Sequence, residues 1–127
     1  MFFVRKLDPT LISLFYRATI ETILTFCLSA WGGNATAYDL KKLNRVIMKA
    51  KKVCQSEVLS SIKELLERVT VKKIESLMSS NHHPLSNKVE FSKRTGRAIV
   101  IKCRTERYRR SFLPRATLSL ANSFIRK

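Results

Sequence analysis

The chain has 127 residues, 45% of them apolar and 27% charged, and its 25 Lys+Arg against 9 Asp+Glu leave a net charge of +16. That length suits one folded domain, the apolar content excludes a disordered basic tail, and the charge imbalance fits poorly with an enzyme of small anionic metabolites. A polyanion is the expected partner: RNA or DNA first, because Lys and Arg release condensed counterions from phosphates, although anionic lipid headgroups attract the same charge.

The first element is predicted from Asp8 and Pro9, an N-cap followed by a residue whose missing N–H costs nothing at the first helical position. Leu11, Leu14, Phe15, Ala18, Ile23, Phe26, Cys27 and Ala30 largely recur at helical steps, and Gly32-Gly33 supplies the stop. A helix of about 23 residues follows, roughly 34 Å long. Ile12, Ile20, Leu24 and Leu28 make its other side apolar too, so a central core helix is expected, or self-association if one side is left uncovered. Arg17 and Glu21 interrupt the apolar run, so no membrane span is predicted. No secretory leader is expected either.

Thr36-Ala37-Tyr38-Asp39 has the spacing of a capping box and opens the second helix. Leu40, Leu43, Ile47, Ala50 and Cys54 form a narrow apolar stripe there, whereas Lys41, Lys42, Arg45, Lys49, Lys51 and Lys52 fill the remainder with no acid between Leu40 and Ser56. Ser61-Ile62-Lys63-Glu64 opens a third helix that should end near Ser80, its mixed charges reading as an ordinary solvated face. His83-Pro84 predicts a turn and then a short helical turn towards Phe91, and Ser92 to Arg97 a basic loop. Ala98 to Ile101 is β-branched and extended segments suit it, while Pro114 should open a last helix over Ala116, Leu118, Leu120 and Ala121. Residues 92–127 hold eleven basic residues and one acid, Glu106. The expected fold is therefore mainly α: a single domain over 1–127, with three principal helices in a core over about 1–91 and a short, less regular basic tail over 92–127.

Catalytic constellations are weak. Cys27, Cys54 and Cys103 are an odd number at wide spacing, which argues against a disulfide framework and for a reducing, intracellular compartment, nucleus or cytoplasm. With adjacent His82 and His83 the only other soft ligands, no metal or cofactor is expected; Cys27 and Cys54 read as buried thiols and His83 as a packed turn residue. No G-x-S-x-G, phosphate-binding glycine loop or acid cluster is present, so no enzyme activity is predicted. What remains is a nucleic-acid-binding set: Lys41, Lys42, Arg45, Lys49 and Lys52 on the second helix, and Arg104, Arg107, Arg109 and Arg110 in the tail, whose guanidinium forks suit phosphate oxygens. Tyr108 and Phe112, interleaved with these arginines, are expected to pack in the core.

Several segments carry a resemblance. Leu14-Phe15-Tyr16, the run Ile23-Leu24-Thr25-Phe26-Cys27-Leu28-Ser29-Ala30-Trp31-Gly32-Gly33-Asn34-Ala35-Thr36, then His83-Pro84-Leu85, and Lys102-Cys103-Arg104-Thr105-Glu106-Arg107-Tyr108-Arg109-Arg110-Ser111-Phe112-Leu113-Pro114 resemble, in order and spacing, the C-terminal region of LINE-type (non-LTR) retrotransposon reverse transcriptases of fish genomes. The resemblance implies a helical module beyond the fingers, palm and thumb that helps hold template RNA or target DNA. The family's aromatic-Ala-Asp-Asp metal box has no counterpart, since this chain has no adjacent Asp pair. A non-catalytic fragment is implied, beginning near Arg5-Lys6-Leu7 and able to meet the polymerase region from which it is cut; a non-functional relic is the alternative. Similar segments also carry the name of the N-terminal domain of AlkB homologue eight, which joins a 2-oxoglutarate and iron dioxygenase to a tRNA methyltransferase. That name implies association with RNA modification; the His-x-Asp and the glycine-rich nucleotide loop of those activities are missing here.

Overall fold

Asp8 begins the first helix as expected: its carboxylate accepts the Thr10 N–H at 3.1 Å, and Pro9 takes the first helical position. The computed structural model describes residues 7–55 and 59–123, so Arg5 and Lys6 lie outside the described residues. Among these residues the fold is mainly α, with no strand and a single antiparallel bridge between Phe91 and Ala98.

The long first helix is not continuous. α1 (Pro9–Tyr16) passes through a five-residue π turn (Arg17–Glu21) into α2 (Thr22–Thr25), and the chain then turns at Phe26 and Cys27 before α3 (Leu28–Trp31). The threonines explain the loosening. Thr19, Thr22 and Thr25 donate their hydroxyls back to the carbonyls of Phe15, Ala18 and Glu21 at 2.6, 2.9 and 2.8 Å, and such back-bonding competes with the helical ladder and bends it. At the break Cys27 adopts left-handed φ 50°, and the freed Phe26 carbonyl accepts the Trp31 indole N–H at 2.8 Å.

Two well-capped helices follow. In α4 (Ala37–Cys54) and α5 (Ile62–Ser79) the capping boxes of Thr36 with Asp39 and Ser61 with Glu64 are both formed, and the Ile62 N–H donates to Asn44 Oδ1 at 3.1 Å, fixing the start of α5 against α4. The apolar stripe of α4 faces inward. Ile47 and Cys54 are buried together with Tyr16, Leu28, Leu59, Ile62 and Leu65, and Leu40, Leu43 and Ala50 pack at the margin. Gly32 is buried where α3 ends, because a Cβ there would lie 2.6 Å from Leu66 Cδ1 and 2.7 Å from the Leu28 carbonyl oxygen.

The segment beyond α5 is more ordered than its composition suggests. After a turn in which His83 Nδ1 accepts the Leu85 N–H at 3.1 Å, a 3-10 turn (Ser86–Lys88) leads to the Phe91–Ala98 bridge, closed by Gly96 at φ 66°. The predicted helical turn through Phe91 stops at Lys88, and Ala98 to Ile101 runs extended without joining a sheet. α6 (Glu106–Arg109), which periodicity missed, is capped by the Thr105 hydroxyl. α7 (Phe112–Ser123) starts two residues ahead of Pro114, which still sits in the first turn where its lack of an N–H is harmless. Val89, Ala98, Ala116 and Leu120 close on Ile74 of α5 as a second core, so residues beyond 92 help build the interior.

The first helix is also not the central one. Leu11, Leu14, Phe15, Ile23 and Phe26 are exposed, and only Tyr16 of α1 is buried. By length and composition alone the run Pro9–Trp31 is sufficient to cross a membrane.

Candidate nucleic-acid interface

Because α4 buries Leu40, Leu43, Ile47, Ala50 and Cys54 on one side, residues at the complementary helical steps face solvent. Lys41, Arg45, Lys49 and Lys52 recur at steps of four, four and three and share that outer face, all exposed. The stripe runs about 16 Å at the helical rise. Lys42 is also exposed, beside this row, with Nζ 4.4 Å from the centre of the Tyr38 ring. Lys51 and Lys52 in the last turn complement the negative end of the helix, and Gln55 at φ 51° closes it. Asp39, the sole acid of this helix, is engaged at the opposite end: its hydrogen bonds with the Thr36 hydroxyl and N–H hold its carboxyl below the ordinary range, helped by Lys42.

The second set is built on α6. Arg104 precedes the Thr105 cap, Arg107 and Arg109 lie in the helix, Arg110 is its C-cap, and all four are exposed. Glu106 pairs with Arg109 at 3.0 Å and Arg110 at 3.3 Å, exposed contacts of small stabilising effect. These are the two ion pairs among the described residues, so Arg104, Arg107 and the cations of α4 face solvent there without an acid partner. Of the interleaved aromatics, Phe112 packs against the second core as expected, but Tyr108 is 45% exposed and its ring is open to stacking. Tyr108 sits on the four-residue α6, whereas Phe112 opens α7, which packs on α5.

A further arginine contact ties the end of α6 to α3. The half-buried Arg115 donates Nε to the Arg110 carbonyl at 2.9 Å and Nη2 to the Ser29 carbonyl at 2.7 Å, and burial pushes its guanidinium below the ordinary value. Gly33 lies in the same contact: a Cβ there would come within 2.1 Å of the Arg110 oxygen and 2.3 Å of Arg115 Nε. The end of α6 is thereby held against the loop that enters α4.

The role of Arg115 has no signature in the sequence, because a guanidinium bonded only to carbonyls needs no particular spacing. Lys93, Arg94 and Arg97 of the predicted basic loop lie outside the candidate set; all are exposed around the Gly96 turn. The metal reading finds no group of potential ligands among the described residues. Of the two thiols expected to be buried, Cys54 is buried, but Cys27 is exposed because the break in the first helix turns it outward. No family model, curated protein or solved structure matches the chain.

Proposed function

We propose that this chain binds nucleic acid without catalysing a reaction, as the C-terminal module of a LINE-type reverse transcriptase would. The observation that carries the reading is the acid-free outer face of α4, where Lys41, Arg45, Lys49 and Lys52 stand exposed in a row. The exposed arginines of α6 add a second basic set, and Tyr108 adds a ring for an unpaired base. Phosphates are met by Lys and Arg charge, Arg107 supplying a fork with no acid among the described residues to compete.

The test is a salt titration on an RNA and a DNA of equal length. Saturable binding should weaken linearly in log–log form, by a slope of about 0.7 to 0.9 per phosphate contacted. Replacing Lys41, Arg45 and Lys49 with Ala should lower both slope and affinity, and replacing Arg107, Arg109 and Arg110 should weaken binding evenly across sequences. A folded helical chain that binds neither polymer at low salt would sink the reading and favour a relic.

A further inference from the structure

Between α1 and α4 the surface is concave and apolar, a groove of about 650 Å³ with Leu11, Phe15 and Ile20 on one wall and Val46 and Val53 on the other. The groove's lining runs from Leu7 through α1 to Ile20 in the π turn, about 20 Å at the helical rise. Its rim is charged on the α4 side. Lys49 lines it, and no acid lines it among the described residues.

These features select the occupant. A second copy of the chain would bring another +16 against Lys49 and the other α4 cations. A slot of this length with apolar walls suits the apolar face of a third helix, read at i, i+3 or i+4, and i+7. We propose that the α1–α4 groove takes an amphipathic helix of a protein partner whose flank carries Glu or Asp to meet Lys49. This goes beyond nucleic-acid binding and does not depend on it.

The test uses the full chain and a fluorescein-labelled synthetic helix of about 14 residues with Leu on one face and Glu along its flanks, followed by anisotropy. A peptide with Lys in place of Glu and a scrambled acidic peptide are the controls. One-to-one saturation by the acidic helix alone is expected. Phe15→Ser and Val46→Ser, at sites 67% and 43% exposed, should each weaken it about tenfold with an unchanged circular dichroism spectrum, and Lys49→Glu should do the same. Because the two Ser variants keep the charge, their affinity for RNA should not move, which separates failure here from failure of the nucleic-acid reading. Equal binding of either control peptide, or undiminished binding by the Ser variants, overturns the proposal. So does a dimer of the chain, or capture by anionic vesicles, that Phe15→Ser abolishes.

Discussion

α1 and α4 are neighbours of opposite character. α4 is rich in lysine yet buries a clean stripe, since its apolar residues keep to helical steps and meet α1 and α5. α1 is far more apolar yet leaves Leu11, Leu14, Phe15 and, beyond its π turn, Ile23 and Phe26 on the surface. Apolar content sets how much surface would gain from burial, but neighbouring helices decide how much is buried. The helix of lower average apolar character therefore contributes more firmly to the core.

The contrast is broken most sharply by truncating one residue on each element. Ile47→Ala on α4 removes a side chain 2% exposed and should cost about 3 kcal/mol, whereas Ile23→Ala, at 74% exposed, should stay within about 0.5 kcal/mol; urea midpoints decide, and equal losses would mean that the first helical run is covered. Gly33→Ala probes the contact that ties the end of α6 to α3. A Cβ meeting the Arg110 carbonyl should cost about 2 kcal/mol and weaken polynucleotide binding by displacing α6, while an unchanged melting temperature would show that the contact yields freely.

Thr36→Ala sharpens the account of α4 and should cost about 1 kcal/mol as a lost cap. Its pH dependence is specific. Because the Asp39 carboxyl titrates below its unfolded value of about 3.9, its contribution is present above that value and fades as pH falls through the lower folded one. Thr36→Ala should flatten that acid limb of the stability curve, and an unaltered limb would assign the acid sensitivity elsewhere. The smallest effect is reserved for Glu106→Gln, which frees Arg109 and Arg110: stability should shift by less than about 0.5 kcal/mol, and affinity for RNA should rise. A fall in affinity would mean that Glu106 orients the arginines rather than competing for them.

Much of the helical framework was legible because its determinants are local. Asp8-Pro9, Thr36 with Asp39, and Ser61 with Glu64 fix helix starts within one turn, and the alternation of Leu40, Leu43 and Ile47 with lysines fixes which side of α4 is wet. The α6 turn escaped because four residues are too few for a period, and Pro114 drew attention away from the true start of α7 at Phe112. The candidate cations were readable as exposed charge, since ions avoid a core without partners. Their arrangement was not.

Sequence by itself determined the mainly helical class, the caps, the outward face of α4 and the excess of positive charge, all consequences of spacing and composition. Tertiary structure alone decided that the first helical run breaks at Cys27, that Tyr108 stays open while Phe112 is covered, and that Arg115 holds α6 beside Gly33. Each of these depends on which distant backbone or side chain fills the neighbouring space, and close packing between remote segments leaves no periodic trace along the chain.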